Sequence, residues 1–360
     1  MKKLRVGVAG LGRGQAFIER FRGIPGCEVV AVCDVSEKAL AKFGDLARHT
    51  SFDSFLREGL DLVAVITPGP VHAEQSVRAL EAGAHVLCET PCVYSLAEAR
   101  AVVNAVRRTG RKYMLAEDYI WFGWAARLKE RAEAGQFGEI VYAEGDYTHD
   151  CRDIMLMTDD GYVPYAERAK HPGARKSWRA TDLPPLFYTS HTLGPLLHLM
   201  DDRVVEAVGM STGTHTAPDL GTIDLEAGLF KTARGAVIRL TNGFTIAHPM
   251  ALLYKLAGTR GSVQMLFTDG NTGVWFSEVA QPRMSGWQAL PEGWDRRPDG
   301  ADHLLVMMRE FVESIRRDTA PPIDVYRSME FVLPGILAHE SAMKGGQKLA
   351  VPDLRLTGPG

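Results

Sequence analysis

Two sets of residues in the 360-residue chain have types and spacing suited to chemistry. The first is Gly10-Leu11-Gly12-Arg13-Gly14-Gln15, lying between an apolar run, LRVGVAGLG, and a run with helical spacing, GQAFIERFRG. A glycine at 10 permits a tight turn, and one at 12 lets the backbone approach a pyrophosphate held at a helix N-terminus. The usual third glycine would fall at 15, where Gln15 stands, with Gly14 one place early. Taken alone, the motif also suits a glycine-rich turn that binds nothing. Downstream, EVVAVCD ends in Asp34, at the distance expected of the acid that binds a ribose. That carboxylate would accept from ribose hydroxyls and repel a 2′-phosphate, so NAD is expected over NADP.

The second set is made of imidazole, phenol, carboxylate and guanidinium groups. His191, Pro195 and His198 have i, i+4, i+7 spacing, so the two histidines can share a helix face. Imidazole, with an unperturbed pKa near 6.5, suits proton transfer. At a helix N-terminus His191 would face a cleft as acid or base; the alternative is a satisfied core histidine, and His198 reads as structural. Tyr147 and His149 are two apart on a strand and face one side, as the wall of a ligand site or as ordinary half-buried strand residues, and Asp150 ends that strand. Glu117 and Asp118 follow the fifth parallel strand, KYMLAED, where a carboxylate can bind hydroxyls near a nicotinamide; a helix-start acid is the plainer reading for Asp118. Arg179 beside Trp178 can stack and donate to a ring substituent, or lie solvated on a loop. His149, Asp150, His191 and His198 lack close metal-ligand spacing, so no metal is expected. No Gly-x-Ser-x-Gly or paired-carboxylate signature offers a rival hydrolytic mechanism.

The elements that must position these groups begin with alternating strands and helices. LDLVAVITP, AHVLCE and KYMLAED read as strands, and HAEQSVRALEAG and SLAEARAVVNAVRRTG as helices, the latter opened by a Ser95/Glu98 capping box. The alternation predicts a parallel, doubly wound Rossmann sheet over residues 1–120, with Thr67, Pro68, His72, Glu89, Thr90, Pro91 and Glu117 at or near its ligand-binding edge. Residues 121–360 predict a second, α+β domain for substrate binding and oligomerisation, with a helix near 123–134 and a strand at GEIVYAEGDYTHD. A long loop over 150–187 follows, then a run of strands joined by short turns, as in a large, open, mainly antiparallel meander. Helices near 300–317 and 326–344 close the chain, and the last of them is a candidate to pack back on the first domain. An uncovered sheet face points to a homodimer or homotetramer.

Composition sets the bounds. Apolar residues are 46% and charged residues 24%, and the net charge of −3 gives no reason to expect nucleic acid or an anionic membrane as partner. Five cysteines in an odd count with no CxxC pair read as reduced, buried thiols. The basic start MKKLRVGVAGLG is read as a first strand, and no apolar segment reaches membrane-spanning length, so a cytoplasmic location is expected.

The order VGVAGLGRG, VVAVCD, ITPGPVHAEQSVRALEAGAHVLCETP and then a sheet domain resembles the glucose–fructose oxidoreductase/inositol dehydrogenase (Gfo/Idh/MocA) family over nearly the whole chain. The resemblance implies a Rossmann domain, an α/β substrate domain, a nicotinamide cofactor and hydride transfer on sugars or polyols. This sequence departs from the family at Thr90, where a proton-moving lysine is usual, and at His191-Thr-Leu-Gly-Pro195, where Asp-x-x-x-His is usual. The departures are similar to the family's NAD-dependent α-N-acetylgalactosaminidase-like glycoside hydrolase branch, as are KYMLAEDY, GEIVYAEGDYTHD, SWR and FYTSHTLGP. That likeness implies Tyr188 and His191 as substrate-contacting and acid/base residues, with Glu117, Tyr147 and Arg179 as sugar contacts. It also implies a tightly held NAD⁺ that takes a hydride from a sugar carbon and returns it after elimination and hydration, giving net glycoside hydrolysis. The alternatives are net NAD-dependent sugar or polyol oxidation, and a catalytically silent protein that binds NAD or sugar.

Overall fold

The structure is a computed structural model that describes residues 3–268, 271–278, 287–290, 293–294, 296–297 and 299–356. The chain divides into two compact units. One comprises Met1–Trp121, Ala301–Met329 and Leu354–Gly360, and the other Phe122–Gly300 and Glu330–Asp353. No helix among the described residues is long and apolar enough to cross a membrane.

The first unit holds six strands: β1 (Leu4–Ala9), β2 (Cys27–Cys33), β3 (Ala47–His49), β4 (Leu62–Val65), β5 (His85–Cys88) and β6 (Tyr113–Leu115). All pair in parallel in the order β3-β2-β1-β4-β5-β6. Strand order reverses between β1 and β4, the point at which such sheets bind ligands beyond their C-terminal ends. Val6, Val8 and all of β4 are fully buried, which is why these strands read as unbroken apolar runs and not as alternations. Strand β3 is a correction to the sequence reading: Ala47-Arg48-His49 has no apolar run, so KYMLAED forms the sixth strand, not the fifth. The capping box is also shifted. Ser95 Oγ accepts from Glu98 N at 3.1 Å, but the Glu98 carboxylate reaches back to Tyr94 N at 2.7 Å, one residue before the cap.

The second unit opens with the helix Gly123–Glu133 and β7 (Ile140–Thr148). The irregular segment after it contains only a small sheet of β8 (Leu156–Thr158), β9 (Gly161–Tyr162) and β10 (Arg175–Lys176), ordered β10-β8-β9, with short helical turns. After the helix Ser190–Met200 come β11 (Val204–Ser211), β12 (Leu225–Thr232), β13 (Val237–Gly243), β14 (Ala251–Gly258), β15 (Gly261–Thr268), β16 (Asn271–Glu278), β17 (Gln288–Ala289) and β18 (Leu349–Ala350). Their sheet runs β17-β16-β15-β14-β7-β13-β12-β11-β18. It is not a simple meander, because β7 inserts at its centre, parallel to β13 and antiparallel to β14.

The period of two sorts β7 into faces: Ala143, Gly145 and Tyr147 are buried, whereas Tyr142, Glu144 and Asp146 are half-exposed. At Gly145 an added Cβ would come within 3.2 Å of Thr192 and 3.3 Å of Leu196, so glycine lets the helix Ser190–Met200 lie close on the inner face. On the outer face Arg239 lies 3.3 Å from Asp146 and 3.6 Å from Glu144, and Lys255 lies 3.8 Å from Glu144.

Candidate functional site

In the first unit, Gly10 (φ 87°) makes the turn out of β1, and a Cβ there would collide with the Ile66 carbonyl. A Cβ at Gly12 would meet nothing within 4 Å, so the space above the turn is open. The helix Gly14–Gly23, whose first turn includes Gln15, has no side-chain cap and leaves its first N–H groups as anion donors. Asp34 ends β2; its Oδ2 accepts from Leu11 N at 2.7 Å and its Oδ1 from Ser36 N at 2.8 Å. Each oxygen keeps a lone pair for a hydroxyl. The Arg13 Nε forms an ion pair with Glu89, and Arg13 Nη2 lies 3.8 Å from Asp118, which also meets His303 at 3.2 Å.

The neighbouring loops are held from beneath. His72 is buried, with Nδ1 2.9 Å from the Pro91 carbonyl and Nε2 2.6 Å from the Thr67 carbonyl. The two ring nitrogens thus lie between the Thr67 and Pro91 loops, and burial lowers the His72 pKa against the opposing pull of both carbonyls. Thr67 Oγ1 reaches Gln75 at 2.7 Å, and Pro68 precedes the turn Gly69–Val71. Thr90 is 3% exposed, and its hydroxyl has no hydrogen-bond partner among the described residues. Glu117 is fully buried, with a carboxylate oxygen 3.2 Å from Tyr119 N. Open space at Gly12, an uncapped helix start, a carboxylate with spare lone pairs and an orphaned hydroxyl together fit a dinucleotide.

In the second unit, β7 and the segment Phe187–His191 bring four sequence-predicted residues together. Tyr147 stacks on Tyr188 (centroids 5.8 Å, 17°) and meets His191 edge-on at 5.4 Å and His149 at 5.1 Å; Tyr188 and His191 are 4.8 Å apart. His191 occupies the first turn of the helix Ser190–Met200. Four residues later stands Pro195, which has no N–H, so the normal helical bond to the His191 carbonyl cannot form. The buried Tyr254 hydroxyl donates to that carbonyl instead, and Tyr254 is itself held against Trp124 with centroids 4.6 Å apart. A hydrogen bond from the sheet thus replaces the one that proline removes, at the residue carrying the imidazole.

Tyr147, His149, Tyr188 and Arg179 line a cavity of about 140 Å³ together with Cys151, Ile154, Met155, Leu183 and Phe244. Sequence reasoning missed the last five, most of which come from the irregular segment after β7, where no periodicity marks them. Arg179 donates to the Tyr162 hydroxyl at 2.7 Å and lies over the Trp178 ring at 4.6 Å. Trp178 and Asp150 are not in the lining. The exposed Asp150 is gripped by Arg152 (Nε to Oδ1 2.8 Å, Nη2 to Oδ2 2.5 Å), which holds its carboxyl below the usual range. Burial pushes the Cys151 thiol up to about 12, so it is a wall and not a nucleophile.

Residues 4–117 match the profile of the oxidoreductase family with an NAD-binding Rossmann fold, and residues 214–357 that of the glycosyl hydrolase 109 C-terminal domain. The first unit therefore carries the NAD-binding Rossmann domain of the Gfo/Idh/MocA oxidoreductase family, and the chain is an enzyme of that NAD-dependent oxidoreductase fold. Beyond that domain it carries the C-terminal domain of glycosyl hydrolase family 109. A glycosyl hydrolase family 109 protein of Streptomyces niveus is 28% identical, covering 97% of this chain and 77% of its own length. One from Streptomyces filamentosus is 29% identical with the same coverage. Among solved structures, an oxidoreductase domain protein from Kribbella flavida matches with a TM-score of 0.80 at 20% identity, over 98% of this chain and 100% of its own. Levoglucosan dehydrogenase in complex with NADH and levoglucosan matches at 0.79 and 18% identity, with the same coverage. The structural likenesses establish the fold.

Proposed function

We propose that the chain is an NAD-dependent, sugar-active enzyme that cleaves a glycosidic bond through a hydride cycle closed within itself. The observation that carries this reading is the phenol–imidazole set Tyr147, Tyr188 and His191, gathered in a chain with Thr90 where the wider family carries a proton-moving lysine. The glycosyl hydrolase 109 domain and relatives support hydrolysis as the outcome.

Gly10, Gly12, Gly14 and the helix start would hold the pyrophosphate, and Asp34 the ribose, which favours NAD over NADP. When bound, NAD⁺ supplies a hydride acceptor that is restored by the end of the cycle. The residues then have proton work to do: a sugar hydroxyl and a neighbouring carbon each give up a proton, and the leaving oxygen takes one. His191 and Tyr188 are the proposed carriers. Tyr147 offers an aromatic face and a hydroxyl, His149 and Arg179 bind ring substituents, and Glu117 is the proposed carboxylate partner of a sugar hydroxyl. Because water adds and the hydride returns, the net reaction is hydrolysis.

A homodimer or homotetramer through the outer sheet face, where Met210 (71%) and Leu229 (53%) are exposed, and a cytoplasmic location, which suits five free cysteines, complete the proposal.

The test is to purify the protein without added nucleotide, denature it and quantify the NAD(H) released. About one NAD per chain is the expected result, and His191→Ala should keep that NAD while losing turnover. Little or no bound NAD would favour a dissociable co-substrate and net oxidation.

A further inference from the structure

We propose that the cavity of the second unit takes a sugar with an anionic oxyacid substituent, a carboxylate or a sulfo group, and that Arg179 is the side chain that reads it. The proposal rests on the sugar-binding reading of this cavity and names the class of sugar.

Charge is the first argument. Arg179 lines the cavity, and among the described residues no Asp or Glu does. The acid adjoining the lining, Asp150, is spent on Arg152 through a two-pronged contact. Among the described residues Arg179 has no ion pair, and its one hydrogen bond goes to the neutral Tyr162 hydroxyl. A guanidinium has five N–H donors and no acceptor, so most of its capacity is uncommitted.

Geometry is the second. The guanidinium is held by the Trp178 face at 4.6 Å and by the Tyr162 hydroxyl at 2.7 Å, with the Tyr162 ring 5.9 Å away. A planar fork fixed in this way is preorganised for a bidentate oxyacid. The rest of the lining includes the apolar side chains of Ile154, Met155, Leu183 and Phe244. A ligand seated against it displaces water from the guanidinium and lowers the local dielectric. A neutral sugar would leave a desolvated, unpaired cation, whereas an oxyanion compensates it. Stacking on Trp178 offsets only part of that cost.

The test is calorimetric binding to the NAD-loaded full chain, using matched sugars: glucose, galactose and mannose against their uronates, and glucose against 6-deoxy-6-sulfoglucose. At least one anionic member should bind about tenfold or more tighter than its neutral partner. Arg179→Gln should remove that preference and Arg179→Lys keep part of it, with NAD content and unfolding midpoint unchanged in both. Neutral members binding as well or better in every pair would overturn the proposal, as would no binding of any anionic member or a preference that survives Arg179→Gln. Failure here is separable from failure of the hydrolytic reading. Glycoside cleavage without charge preference removes only the anionic class; charge preference with stoichiometric NADH production removes only the closed cycle.

Discussion

The bond from Tyr254 to the His191 carbonyl can be tested by a perturbation with an internal rescue. Tyr254→Phe keeps the ring and its packing on Trp124 but deletes the hydroxyl that donates to the His191 carbonyl in place of the N–H missing at Pro195. Removing one partner of a buried carbonyl costs about 1–3 kcal/mol, because the carbonyl has given up water on folding. Pro195→Ala restores an N–H four residues after His191, so in that background the same Tyr254→Phe change should cost about 0.5 kcal/mol or less. The coupling energy across the four proteins, the difference of those two costs, is thus expected at about 0.5–3 kcal/mol. Urea unfolding with an unchanged slope gives each stability. Since the bond anchors the turn that carries the imidazole, Tyr254→Phe should also lower kcat more than it changes KM. An equal cost of Tyr254→Phe in both backgrounds would refute the compensation and leave Tyr254 as packing alone.

Three further outcomes follow from named contacts. Asp34→Asn should weaken NAD binding about 10- to 100-fold and narrow the NAD/NADP ratio, since hydrogen bonds to a charged acceptor are worth roughly 1.5–3 kcal/mol; titration of nucleotide-stripped protein measures both, and an unchanged ratio would remove Asp34 from the ribose site. Glu226, fully buried, accepts from Leu186 N at 3.0 Å and meets His339 at 2.7 Å, pinning the turn that presents Tyr188. Glu226→Ala should cost about 1–3 kcal/mol, because Leu186 N loses its buried acceptor, and raise KM, with Glu226→Gln recovering most of the loss, read by urea midpoint and kinetics. Asp302, capping the helix His303–Arg316, is held down to about 2 by its hydrogen bond from Arg20. Its folded value lies below the unfolded one near 3.9, so its contribution is present at neutral pH and is lost as pH falls from about 4 through 2. Asp302→Asn should flatten unfolding midpoints over that window, and an unaltered slope would contradict the assignment.

The sequence revealed most of the first unit, for a physical reason. Parallel strands covered on both faces are continuous apolar runs, and Gly10, Gly12 and Asp34 mark the turn and strand end beside them. Strand β3 escaped because three residues, one of them an arginine, carry no such run. In the second unit most strands alternate visibly, but β7's place between β13 and β14 depends on partners about a hundred residues away, which local pattern does not encode. Site residues divided in the same way. Tyr147, His149, Tyr188, His191 and Arg179 were all marked in the sequence, and each lies in or against one aromatic cluster or its cavity. The capture of Asp150 by Arg152, the burial of His72 between two carbonyls, and the apolar wall from Cys151 to Met155 depend on how irregular backbone folds, and no spacing announces them.

The central claim is that hydride leaves and returns within one turnover. Its most direct test follows an aryl glycoside in D₂O with enzyme as purified, recording free sugar, NADH and deuterium in the product together. The closed cycle predicts many sugars released per enzyme, no net NADH, and one solvent deuterium on a ring carbon of the product. NADH accumulating one for one with substrate, or a product free of carbon-bound deuterium, would contradict it.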